Sequence, residues 1–192
     1  MRKTQLFSAL ALAGGLALSN SAFAEVKEYK VDPTHSFVMF SISHLGFSFV
    51  EGRFNELSGE FTYDSDNPAN SDITMRVNTA SIDSNHAERD RHLRASDYLH
   101  VSRHPEATFT TTRFEPNGDD GILHGDLTLY GTTQPIEVDV KFVGAGEDPW
   151  GGYRRGYVGT TTITLSDFGM NFQLGPDAET TDLRFVIEGI RQ

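Results

Sequence analysis

Cysteine is absent from the 192-residue sequence, and basic residues are scarce. Without cysteine there is no disulfide framework, no thiol nucleophile, no thiolate-bound zinc and no lipid-modified N-terminal cysteine. Lys and Arg number 16 against 27 Asp and Glu, a formal charge of −11. A surface of that sign repels phosphate backbones and anionic membranes, so nucleic acid is not an expected partner. Catalytic signatures are missing as well: there is no Gly-x-Ser-x-Gly elbow and no His-Glu-x-x-His pair. Long apolar runs are limited to one near the N-terminus, Leu6 to Leu18, which is short for a transmembrane helix.

That run follows Arg2 and Lys3 and precedes Ala22-Phe23-Ala24, the small-x-small pattern of a signal-peptidase site. The expectation is a signal peptide over 1–24, cleaved before Glu25, and a single mature domain over 25–192. Loss of Arg2 and Lys3 takes the formal charge from −11 to −13. A secreted chain with this leader and no anchor is expected in the periplasm.

The rest of the sequence is written in period two. Ile73, Met75 and Val77 alternate with polar residues, as do Ile136, Val138, Val140 and Phe142, and Leu183, Phe185 and Ile187. Such alternation describes strands with one buried and one wet face. Weaker alternation covers 35–44, 52–63, 106–114, 121–130 and 153–165. Turn chemistry separates these segments at Asp32-Pro33-Thr34, Asp66-Asn67-Pro68, Pro116-Asn117-Gly118, Gly131-Thr132-Thr133 and Asp148-Pro149-Trp150-Gly151-Gly152. About eight long strands with short connections predict a meandering antiparallel sheet, which loses its exposed edges by closing into a barrel.

One segment departs from this pattern. From His86 to Leu99 no β-branched residue occurs, and Asn85 stands three residues before Glu88, as in a capping box. One short helix is predicted there, ending before His104-Pro105, with His86, Asp90 and Arg94 on a solvated face.

Phenylalanine is the abundant aromatic, 14 residues against one tryptophan. An eight-stranded barrel either fills with its own side chains or holds one small apolar ligand, and alternation alone fits both. The residues expected to face the interior are Phe40, Ile42, His44, Phe47, Phe49, Phe54, Phe61, Phe109 and Phe168, with Leu93 or Tyr98 of the helix closing one end. A slip of one residue reverses a whole strand face, so these assignments depend on register. His44 reads either as a structural histidine at a strand end or as a hydrogen-bond partner for a quinone carbonyl or lipid headgroup. His86, His92, His100 and His104 lie close in sequence without metal-ligand spacing, so no metal site is expected; nothing calls for a cofactor. Arg89, Asp90, Arg91 and Arg94 fit a helix-surface network better than an anionic-headgroup site.

Longer strings are more specific. They are HSFVMFSISHLGFSFVEGRF from His35, TASIDSNHAERDRHLRASDYL from Thr79, HPEATFTTT from His104, GDLTLYGTTQP from Gly125, EDPWGG from Glu147 and SDFGMNFQLGP from Ser166. In this order, and across nearly all of 25–192, they resemble the YceI-like family of periplasmic proteins. The resemblance implies an all-β fold, an extended eight-stranded antiparallel lipocalin-like barrel with one short helix. It implies a long-chain ligand inside: a polyisoprenoid, an isoprenoid quinone or a fatty-acid derivative. It also implies a setting near membrane cytochrome b-type proteins, as a partner in quinone handling. Two positions depart from the family pattern. Ser166 stands where a basic residue is usual, so a cationic headgroup contact does not carry over. Tyr98 replaces the usual Phe and adds a hydroxyl at the cavity or its rim.

The resulting expectation is a carrier for a long apolar lipid, with no catalytic residue. A hydrolase or isomerase acting on that lipid, and a filled barrel working as an interaction module, are the alternatives. The oligomeric state, a homodimer included, stays open.

Overall fold

Three of the eight staves are interrupted by polar segments, so the described residues form eleven strands where alternation predicts about eight. The computed structural model describes residues 26–172, 175 and 177–192. The expected signal peptide therefore lies outside the described residues. The strands are β1 (Lys27–Val31), β2 (Phe37–His44), β3 (Ser48–Phe54), β4 (Leu57–Tyr63), β5 (Ile73–Asn78), β6 (Ile82–Asp83), β7 (Glu106–Asn117), β8 (Asp120–Leu129), β9 (Thr132–Glu147), β10 (Tyr153–Thr164) and β11 (Thr180–Arg191). The helix α1 spans Ala87–Arg94.

The first break shows why the strands interrupt. Asp32 accepts from the Thr34 amide at 2.9 Å and from its hydroxyl at 2.6 Å, an Asx turn that competes with strand pairing. β1 and β2 nevertheless form one stave, since both pair with β11, at Tyr29–Val31 and at Phe37–Ile42. Likewise β3 with β4 and β5 with β6 continue each other: β4 pairs with β5 and β3 with β6. All pairings are antiparallel, and β11 returning to β1 closes an eight-stave barrel. The fold class read from alternation is the one observed.

The staves meander up and down, so turns gather at two ends. One end carries the β2–β3 turn, the β8–β9 turn and α1; we call it the helix end. The other carries the first and last described strand residues and the turns at 64–72, 118–119 and 148–152.

The helix is shorter than predicted and capped differently. Asn85 takes a left-handed φ of 62°, and His86 is the N-cap, its Nδ1 accepting from the Arg89 amide at 3.3 Å. Glu88 pairs with Arg91 at 2.8 Å, one turn on, and forms no capping box. The helix stops at Arg94 because Ala95 turns extended, ahead of Ser96 and Asp97, which favour turns over helix interiors. Asp90, expected on a solvated face, is instead buried: it accepts from the Ser84 amide at 2.8 Å and the Ser84 hydroxyl at 2.5 Å. Arg94 donates to the carbonyls of Ala80 and Ile82. These bonds moor α1 to the segment from Ala80 to Ser84, which includes β6.

Candidate functional site: the barrel lumen

The interior is hollow. The cavity measures about 260 Å³. Paired residues across an antiparallel ladder face the same side, which fixes the lining. Ile42 pairs with Thr181 and Val50, Phe40 with Leu183 and Gly52, and Val38 with Phe185 and Phe54. On the opposite wall Phe109 pairs with Leu127 and Phe114 with Leu123.

Glycines explain how so many rings leave a void. A methyl group placed on Gly52 would fall 2.3 Å from Phe40 Cζ, and one on Gly125 would fall 2.3 Å from Phe109 Cζ. Only a bare Cα lets each ring lie flat against the neighbouring strand. The rings thus coat the wall, and the centre stays open.

A buried cation closes one end. Arg155 is 6% exposed, with its guanidinium carbon 3.5 Å from the Tyr63 ring centroid and 4.5 Å from that of Phe142. Its Nε donates to the Tyr157 hydroxyl at 2.5 Å, and Nη2 reaches Asp119 at 3.3 Å. Burial works against the Arg155 charge, but the Tyr157 hydrogen bond and the nearby Tyr157, Tyr63 and Asp119 oxygens outweigh it, so its pKa rises. Burial pushes the Tyr157 hydroxyl up as well, keeping it a neutral phenol. Tyr157 lines the lumen floor and meets Phe61 edge to face at 6.0 Å.

At the helix end, Leu93, Tyr98 and Leu99 line the lumen together with Phe172. Tyr98 packs on Phe172 at 5.2 Å between centroids. His104 packs against Tyr130 with the rings tilted and 4.5 Å between centroids, and burial together with Arg103 and His100 lowers its pKa, favouring the neutral ring.

Of the residues expected inside, Phe40, Ile42, Phe54, Phe61, Leu93, Tyr98 and Phe109 line the lumen. Four do not. Phe47 and Phe49 are 87% and 67% exposed. Phe49 and Phe54 lie five apart on one strand and cannot share a face; the pairing of Ser43 with Phe49 puts that ring outside. Phe47 sits in the turn. His44 is exposed at the strand end, beyond the lining. Phe168 is buried at 1% exposure and packs against Leu127, Ile163, Leu165 and Met170, which line the lumen while it does not.

Sequence reasoning passed over Leu127, Ile163, Leu183 and Phe185, whose alternation was visible but which were not assigned to the lining. Arg155 was missed too; the available signal was a cation between Tyr153 and Tyr157 on the same strand face.

One polar cluster lies outside the lumen. Asp32, His35 and Glu188 converge with ligand-capable atoms within 4.8 Å of one another. Arg154 already occupies the group, donating to Asp32 at 2.8 Å, to Glu188 at 2.5 Å and, through Nε, to Asp148 at 2.7 Å. Burial alone would raise the Asp32 pKa, but hydrogen bonds from Thr34, His35 and Arg154 outweigh it and hold the carboxyl far below its usual range. The cluster reads as a clamp joining β1, the β9–β10 turn and β11.

Comparison with known proteins agrees with this architecture. The model of the YceI-like domain matches residues 29–188. The chain belongs to the YceI-like family. A UPF0312 protein of Pseudomonas aeruginosa is 47% identical over 184 residues, covering 95% of this chain and 96% of its own. Among solved structures, the Campylobacter jejuni YceI protein superposes with a TM-score of 0.71 at 24% identity, over 79% of this chain and 90% of that one. A polyisoprenoid binding domain from Saccharophagus degradans superposes with a TM-score of 0.63 at 17% identity, over 85% of this chain and 98% of that one. At such identities the two structures establish the shared fold.

Proposed function

We propose that this YceI-like protein binds and carries a long-chain apolar lipid in its lumen, without chemistry on it. The observation that carries the reading is the closed barrel whose hollow interior is coated by aliphatic and aromatic side chains. Polyisoprenoid binding by the Saccharophagus degradans domain of the same fold supports an isoprenoid chain as ligand class. The lining is dominated by aliphatic and aromatic side chains, with Thr62, Ser71, Asp72, Thr108 and Thr181 among its few polar residues.

The energetics suit a carrier. Each methylene moved from water gains about 0.8 kcal/mol, so a chain of about forty carbons would pass the affinity ceiling of roughly 18–21 kcal/mol. The relevant reference is a membrane, which is as apolar as the lumen. The net preference is then small, and the lipid exchanges.

The leader over 1–24 supports a periplasmic site of action; N-terminal sequencing of the protein from a periplasmic extract should begin at Glu25. The carrier reading is tested with a radiolabelled isoprenoid quinone. The wild type should bind it and return it unchanged, and Ala107→Phe, which adds a ring to the lumen lining, should bind less. Turnover of the label would favour the enzyme reading.

A further inference from the structure

We propose that the tip of the β2–β3 hairpin docks on the surface of an electrically neutral lipid bilayer. Leu45, Phe47 and Phe49 are 47%, 87% and 67% exposed. Leu45 and Phe47 lie in one tight turn and Phe49 on the strand leaving it: Leu45 and Gly46 have φ of 55° and 73°, and the Phe47 amide donates to the His44 carbonyl at 3.0 Å. Scattered exposed apolar residues are ordinary, but three gathered on one projection call for a partner.

Charge identifies the partner. From Ser41 to Val50 the hairpin holds no Asp, Glu, Lys or Arg. Such a tip enters the headgroup layer without desolvating an ion, and aromatic rings favour that depth. The opposite end offers Trp150, 80% exposed, but this ring lies 5.8 Å from the Arg154 guanidinium, in a turn with Glu147 and Asp148. Docking there would bury charges. At the helix end Asp177 and Glu179 follow Gly175, which packs against Leu45. With the acidic excess of the whole chain, they favour neutral over anionic headgroups.

Position gives the docking a purpose. Ile42, three residues before Leu45, lines the lumen, as does Phe172 near Gly175. A protein resting on this tip therefore turns the helix end of its lumen toward the bilayer. The surface is separate from the lumen, so loss of docking with lipid still bound inside counts against this proposal alone.

The test is flotation with phosphatidylcholine vesicles, together with fluorescence. Wild-type protein should float, and Phe47→Ser/Phe49→Ser should partition about ten-fold or more weakly, given the apolar area removed. Both rings are exposed, so the variant should melt with the wild type. The chain has one tryptophan, so Trp150 emission should stay unshifted on vesicles, whereas Phe47→Trp/Trp150→Phe should shift to the blue. Adding anionic lipid should weaken binding. Equal flotation of wild type and serine variant, a Trp150 shift, or no flotation at all would overturn the proposal. So would serines that abolish a dimer in sedimentation without changing vesicle binding.

Discussion

Replacing Gly52 by alanine should drive the Phe40 ring off the barrel wall. The new methyl falls 2.3 Å from Phe40 Cζ and 2.6 Å from Cε1, with the Asp83 carbonyl oxygen at 3.0 Å. Carbon atoms settle about 3.5–4.0 Å apart, so the ring must retreat by roughly 1.2 Å or more. The strand blocks one side, so the retreat is into the lumen. Overpacking of this kind costs about 1–3 kcal/mol, which lowers Tm by roughly 2–12 °C for a domain of this size. Removing the ring removes the conflict. Phe40→Leu/Gly52→Ala should therefore be more stable than the sum of its single variants by at least about 0.5 kcal/mol. Gly144→Ala is the control: nothing lies within 4 Å of its added methyl. It should be neutral or gain up to about 1 kcal/mol. Thermal and urea melts of the four variants complete the cycle, with a fluorescent apolar probe reporting lumen capacity. Additive single variants, or an equal loss at Gly144, would refute the account of rings held flat on bare strands.

Arg155→Met should cost about 1–3 kcal/mol in urea unfolding, through lost cation–π and hydrogen-bond contacts. Arg155→Lys should not restore it, because an ammonium cannot stack flat on Tyr63 while bonding Tyr157; a Lys variant of wild-type stability would contradict the cage. The folded Asp32 carboxyl titrates far below its unfolded value of about 3.9, so its contribution is full above that pH and is lost as pH falls toward the folded value. Asp32→Asn should thus unfold more easily than wild type at pH 7, with the difference narrowing in melts taken below about pH 4. His86→Ala should lower stability by about 1 kcal/mol through the lost N-cap, and His86→Asp should retain it; circular dichroism melts separate the two.

The staves β9 and β11 were legible because their apolar residues alternate without interruption. Eight staves and a meander followed from their spacing. What escaped was parity across turns. The break at Asn55-Glu56 moves the inward set from Phe54 to Phe61, whereas the three-residue turn after His44 leaves Phe47 outside the ladder. Both features are set by strand register, which alternation within one segment does not show: the pairing of Ser43 with Phe49 fixes the second. Composition favours the aromatic residues as lining, but the aliphatic Leu127 and Ile163 face the lumen and Phe168 does not. The helix cap was misjudged because Asn85 and Glu88 have the right spacing while Ser84 and buried Asp90 fix a different entry. Arg155 illustrates another limit: a cation in a strand reads as solvated until the rings around it are seen.

The most direct test of the central claim is native mass spectrometry of the protein purified from the cells that make it, followed by solvent extraction. The account predicts one long-chain lipid per barrel, released intact and matched by an isoprenoid or comparable hydrocarbon standard. A protein that flies without ligand, and takes up no isoprenoid when incubated with lipid vesicles, would contradict it.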